Sequence, residues 1–211
     1  MLDLSRDYIA RDPRTGLPIN VGTKKKSKKK ALKKTESGPW QGLRKQDIIP
    51  LAKGEIGSAK SVWTDRDYQL TQVDGVRALQ LLKGFASKEA HKVLLISLES
   101  DNPAIRIAAL QALPEVAIQK SDEMFDWLSV LLDDDDVNVS MAASNALVIS
   151  APVFPSAVET ILVNELRSTV GFRQNNAWEA LKGLSETWPE VVCVHIDSLM
   201  LDGDVKLRIK A

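Results

Sequence analysis

The sequence predicts an all-α protein of stacked two-helix units, carried behind a disordered basic arm. Three observations predict it. A thirteen-residue block recurs along the chain at a spacing of 34 residues. Within each copy the apolar residues fall on a single helical stripe. Ahead of the first copy, the composition turns from mixed to strongly cationic.

The arm comprises residues 1–36. Residues 1–50 hold 13 Lys/Arg against 5 Asp/Glu, a surplus of eight positive charges, whereas residues 51–211 hold 15 against 23, a deficit of eight. A net charge of zero therefore conceals a basic arm on an acidic body. Eight lysines crowd into residues 24–34: Lys24, Lys25, Lys26, Lys28, Lys29, Lys30, Lys33 and Lys34. Like charges repel and no apolar partners accompany them, so the arm is expected to be disordered on its own. It reads either as a solubilising tail or as a contact for an anionic partner: nucleic acid, another polyanion, an acidic protein or lipid headgroups. In a nucleated cell it also reads as an import signal. Phosphate contacts by lysine are independent of base sequence and weaken with salt. No aromatic residue is interleaved with the lysines, so base stacking is not indicated.

Residues 37–63 form a Gly-rich linker or irregular capping segment with Pro39, Pro50, Trp40 and Trp63. It is expected to lay a strand or two on the first repeat. Trp40, in SGPWQGL, is either a short docking motif or a cover for the first exposed helix, the second being favoured. GEIGSAKS, Gly54 to Ser61, ends in Lys-Ser like a phosphate-binding loop, but Ala59 stands where that loop needs Gly and no hydrophobic strand leads in.

Residues 64–211 carry the repeat, about four copies and a truncated fifth. DNPAIRIAALQAL (Asp101 to Leu113) aligns without a gap on DDVNVSMAASNAL (Asp135 to Leu147), on DYQLTQVDGVRAL (Asp67 to Leu79) and on TVGFRQNNAWEAL (Thr169 to Leu181). Leu207, Arg208 and Ala211 fall on Ile105, Arg106 and Ala109. The columns are Gly75, Ala109, Ala143, Ala177; then Ala78, Ala112, Ala146, Ala180; then Leu79, Leu113, Leu147, Leu181; then Leu82, Val116, Ser150, Leu184. Their spacing makes one stripe of an inner helix, small where neighbours approach and Leu where area is buried. Between these helices a second set recurs at helical spacing: Ala90, Met124, Val158, Val192; Leu94, Leu128, Leu162, Ile196; Leu98, Leu132, Leu166, Met200. Outer helices are thus expected at about 88–99, 122–132, 156–167 and 190–201. Ser87 and Ser121 are candidate N-caps, Ser156 with Glu159 a candidate capping box, and Pro103 and Pro189 suit a first turn. Pro114 is expected to kink or end its helix.

The acidic turn, the apolar-Arg pair and the Ala-Leu end resemble the HEAT-repeat family in its short, lyase-type form. They are Asp101…Ile105-Arg106…Ala109…Ala112-Leu113 and Asp202…Leu207-Arg208…Ala211. Tetratricopeptide repeats share the period, but their Trp-Leu-Gly-Tyr pattern is absent. The resemblance, over residues 64–211, implies a right-handed α-solenoid whose inner helices line a concave face. Ser140 and Gln174 depart from the Arg position, and Arg173 stands where an apolar residue is expected, as if that copy had slipped one residue and Phe172 took the core place. Terminal repeats need a polar cap, so a last copy ending at Ala211 leads to the expectation of a longer natural chain.

Other classes are set aside. No run of roughly 18 apolar residues and no secretory leader stand out, and Cys193 is the single cysteine, which fits a reducing, cytoplasmic setting. His91 and His195 have no ligand partner three or four residues away, and Cys193 and His195 point to different faces of one helix. Asp133 to Asp136 is a run of carboxylates suited to a helix-start turn rather than to a cation. No catalytic residues, metal or cofactor are expected, nor the His-Glu pairs of HEAT-like iron hydroxylases.

The expected function is non-enzymatic: a scaffold, monomeric, that binds a peptide or helix of another protein along the inner face. Opposite the core stripe lie Val73, Val76, Arg77 and Gln80; Ile107, Leu110 and Gln111; Met141, Ser144, Asn145 and Val148; Asn175, Trp178, Glu179 and Lys182. The column Arg77, Gln111, Asn145, Glu179 is polar in every copy, beside large apolar Ile107, Met141 and Trp178. That mixture suits an extended peptide or helix anchored on Trp178, or else packing against the adjacent inner helix. The alternatives are nucleic-acid association through the arm and, last, a chromophore lyase-like or other enzymatic role.

Overall fold

The computed structural model describes residues 38–62, 69–82, 87–117 and 122–210. The lysine run and Ala211 lie outside them. The described body is all-α apart from one two-residue β ladder. In order come a 3-10 turn (Pro39–Gly42), α1 (Lys45–Ala52), β1 (Ala59–Lys60), β2 (Gln69–Leu70) and α2 (Gln72–Ala78), which tightens into 3-10 over Leu79–Leu82. Then follow α3 (Ser87–Leu98), α4 (Pro103–Val116), α5 (Asp122–Leu132), α6 (Val137–Ser150), α7 (Pro155–Glu165), α8 (Gly171–Leu184), α9 (Pro189–Met200) and α10 (Val205–Lys210). The outer helices α3, α5, α7 and α9 fall within two residues of their expected bounds.

The inner helices α2, α4, α6 and α8 pack side by side in sequence order, and the α4–α6 and α6–α8 interfaces are the most extensive among the described residues. Each also packs on an outer helix: α4 on α3, α6 on α5, α8 on α7. The alanine and leucine columns explain this. Ala109, Ala143, Ala177, Ala112, Ala146, Ala180, Leu113, Leu147 and Leu181 are all buried. So are Met124, Leu128 and Leu132 of α5 and Val158 and Leu162 of α7. Gly75 heads the alanine column because α1 lies against it: a Cβ there would sit 2.7 Å from the Ala52 amide nitrogen. The segment read as a linker therefore contains a helix, α1, packed on α2. It forms despite Pro50 because Ile48, Leu51 and Ala52 bury one face. Trp40 is buried, and its 3-10 turn contacts α2, the covering role rather than an exposed docking motif.

The turns inside each unit repeat their chemistry. Ser100, Asp134, Ser168 and Asp202, 34 residues apart, each accept a hydrogen bond from the backbone N–H two residues on. Asn102 and Asp136 then cap the next helix, accepting from Ala104 and Asn138. The column Arg106, Ser140, Gln174, Arg208 supplies a side-chain donor in four copies. Ser140 Oγ donates to the Leu132 carbonyl and Gln174 Nε2 to that of Leu166. The longer arginines reach the turn carbonyls of Ser100 and Asp101, and of Asp202 and Gly203. The departures from Arg keep a donor at this position but move its target, from the carbonyls of the turn itself to the carbonyl that ends the outer helix, two residues earlier.

Three expectations are corrected. Ser156 and Glu159 form no capping box: the N-cap is Phe154, Pro155 opens the helix, and Glu159 reaches across to His195. Pro114 does not cut α4 short, since it sits in the last turn and the helix runs on to Val116. The fourth copy is not slipped. Arg173 occupies the buried place of Ile105, Val139 and Leu207, with Phe172 half-exposed beside it. Arg173 Nε donates to Glu165 Oε2 at 2.7 Å, and its Nη atoms to Glu165 Oε1 and Asp133. Glu165 in turn holds the place of buried Leu131 and Leu199, so an ion pair replaces an apolar pair.

Candidate functional site

Helices α4 and α6 place Ile107, Gln111, Met141 and Asn145 in one shallow groove of about 210 Å³ on the inner row, with Leu110 in the floor and Ile149 at one end. Helical spacing puts Met141, Asn145 and Ile149 on one line. Met141 is 43 % exposed and Ile149 51 %, whereas Ile107 is half-buried against the core. The polar column is a ladder between neighbouring helices: Arg77 Nε donates to Gln111 Oε1 at 2.7 Å, and Asn176 Nδ2 to Asn145 Oδ1 at 3.1 Å. Arg77 thus joins the groove through Gln111. Asn175 and Glu179 are exposed on α8, outside the groove lining, and Glu179 lies 4.0 Å from Lys182 on its own helix.

Part of the face read as opposite the core is core. Val76, Leu110 and Ser144 are buried, because an inner helix with a neighbour on either side has two covered flanks. Trp178 continues that column; it is half-buried against the core, and its Nε1 is enclosed without a hydrogen-bond partner. It is a wall of the row rather than a free anchor. Ile149 and Asn176 were missed, though extending the 141, 145 spacing by one turn reaches Ile149.

A larger cavity, about 610 Å³, opens between the outer helices α5 and α7. The chain between α6 and α7 inserts Phe154 there, against Phe125, with ring centroids 5.4 Å apart and planes at 55°. Ile161 completes the apolar lining; Asp122, Asp126 and Thr160 stand at the rim.

Other chemistry finds no constellation. Among the described residues, no group of three or more His, Cys, Asp or Glu is placed to hold a metal ion. Asp133 pairs with Arg173, Asp134 with Arg106 at 2.9 Å, and Asp136 caps α6, which accounts for three of the four carboxylates of the run. The His195 Nε2 and Glu159 Oε1 lie 3.0 Å apart, a tie between α9 and α7, while Cys193 is exposed. Lys60 of the Lys-Ser pair lies in β1 itself and not at a helix N-terminus that could cradle phosphate. No helix among the described residues is long and apolar enough to cross a membrane. No protein-family model matches the chain, and no curated protein matches it.

Proposed function

We propose that residues 64–211 form a HEAT-like, right-handed α-solenoid that acts as a non-enzymatic interaction scaffold and takes a peptide or helix of another protein along its inner-helix face. Support for the repeat reading comes from helix pairs that recur at 34 residues and from turns that repeat one hydrogen-bonding scheme. Residues 37–63 then serve as the N-terminal cap, with α1 shielding the flank of α2 that a further repeat would cover.

The observation that carries the binding role is the groove between α4 and α6. Two exposed apolar side chains, Met141 and Ile149, flank amide groups that are already oriented by the inter-helix ladder. Oriented amides can pair with the backbone of an extended segment, while Met adapts its shape to varied side chains. A flexible thioether among fixed hydrogen-bonding groups is a surface for recognition rather than for catalysis. The site-specific test places a photocrosslinking residue at Met141 and, as a control, at the exposed outer-helix Val130. A discrete polypeptide adduct at 141, absent at 130 and lost on Ile149→Glu, is expected. Identical adducts at both positions, or none at 141, would remove the inner face from the function.

A further inference from the structure

We propose a second binding site, on the outer face: the cleft between α5 and α7 receives a basic amphipathic helix of another protein. The cleft combines three features that the inner groove lacks. It is about three times larger, 610 Å³ against 210 Å³. Its floor is aromatic, the Phe125–Phe154 pair with Ile161 beside it. The charged side chains among its described lining residues are all acidic.

The charge is what selects the occupant. Helices α5 and α7 carry five carboxylates, Asp122, Glu123, Asp126, Glu159 and Glu165, and no Lys, Arg or His. Glu159 is matched by His195 and Glu165 by Arg173, both away from the cleft lining. Of the other three, Glu123 lies outside the cleft lining, whereas Asp122 and Asp126 are exposed, one helical turn apart on the cleft side of α5. Asp122 lies in the first turn, where the helix dipole alone favours an acid; Asp126 lies one turn further, beyond most of that effect. Among the described residues, no cation lines the cleft.

An apolar trough with carboxylates along one wall complements a helix that presents an apolar stripe flanked by Lys or Arg. A large aliphatic or aromatic side chain of the partner would lie on Phe125 and Phe154, and a cation would meet Asp122 and Asp126. The hydroxyl of exposed Thr160 stands on the opposite wall. An acidic or uncharged segment would leave the carboxylates unpaired at a desolvated rim, which gives discrimination as well as attraction.

The test selects random dodecapeptides against the full chain and measures the enriched sequences by fluorescence anisotropy. Three variants, all at exposed positions, are compared after circular dichroism has verified their helix content. Thr160→Trp fills the trough, Asp122→Lys with Asp126→Lys inverts its rim, and Met141→Glu spoils the inner groove. The expected selection is rich in Leu, Phe or Ile flanked by Lys or Arg. Affinity is expected to fall about tenfold or more with Thr160→Trp and with the charge inversion, and by less than about twofold with Met141→Glu. Failure to enrich any peptide, enrichment of acidic ones, or indifference to Thr160→Trp would overturn the proposal. Loss with Met141→Glu alone would overturn it too, while supporting the inner-face reading. Concentration-dependent self-association that Thr160→Trp abolishes would assign the cleft to a second copy of the chain and overturn it likewise.

Discussion

Along α4, α6 and α8 the buried columns are Ala, Ala and Leu; along α5 and α7 they are Met or Val, then Leu, then Leu. The inner helices touch one another far more extensively than α5 touches α7. Methyl-sized side chains let backbones approach, whereas branched ones hold axes apart. One row is consequently closed, with a shallow groove, and the other leaves an aromatic-floored trough. What the difference teaches is that the space available to a ligand was set by which helix of each pair received the small residues. Arg173 ties the rows by an ion pair: it stands on an inner helix and its partner Glu165 on an outer one.

The largest expected effect comes from cutting that tie. The Arg173 side chain is 13 % exposed and that of Glu165 6 %, so Arg173→Ala strands a buried carboxylate. Such losses cost about 3–5 kcal/mol. The hydrogen bond from Arg173 to Glu165 raises the guanidinium's already high pKa, so titration of the arginine offers no relief. Arg173→Val with Glu165→Leu restores the apolar pair that Val139 and Leu131 make one repeat earlier. That double variant is expected to match or exceed the parent, by up to about 4 kcal/mol. Urea denaturation of the three proteins decides; a double variant as unstable as Arg173→Ala would show that the two copies are not equivalent.

The second effect probes the spacing directly. Ala143→Leu, in the closed row, is expected to cost about 1–3 kcal/mol by overpacking. Ala157→Leu, lining the open trough, should change stability by less than about 0.5 kcal/mol. Thermal unfolding of both variants measures the contrast, and equal losses would mean that the rows are equally tight.

Much of this contrast was legible in the sequence, because small residues at fixed spacing announce close helices without any coordinates. The helix bounds followed from the same columns. The rest was not legible, each part for a physical reason. Arg173 violates the pattern only when seen without Glu165, which is eight residues away on another helix. The α1 helix is eight residues long and contains Pro50, so propensity opposes it and only tertiary burial of Ile48 and Leu51 makes it form. The trough depends on Phe154, which a one-dimensional reading places in a loop; its insertion beside Phe125 is a fact of the turn's path. Among the candidate inner-face residues, the sequence could name a helical side but not how far its two flanks were covered, and Trp178 was read as an anchor for that reason.

A smaller effect belongs to the turn column that serves both rows. Ser140 Oγ is buried and donates to the Leu132 carbonyl at 2.6 Å. Ser140→Ala is expected to cost about 1 kcal/mol, the worth of one buried hydrogen bond. Hydrogen exchange should speed up at the α5–α6 turn and leave the α3–α4 turn, held by Arg106, unchanged. Equal acceleration at both turns would show that the carbonyl caps do not act independently.

The smallest effect is one of acidity at the last turn. Asp202 accepts from the Asp204 backbone N–H and pairs with Arg167 at 3.1 Å, and these contacts hold its pKa below the ordinary 3.8. A carboxylate whose folded value is depressed stabilises the fold above its unfolded pKa and loses that contribution as pH falls through the folded value. The loss should be confined to α10, since Asp202 and the Arg208 contacts to the Asp202 and Gly203 carbonyls form the helix's entry. Amide exchange over Val205 to Lys210 is therefore expected to quicken between about pH 4 and pH 2, with α4 and α6 unaffected over the same range. Asp202→Asn should give the faster exchange at neutral pH and abolish the acid step. A step that persists in the Asn variant would assign it to another carboxylate of the turn.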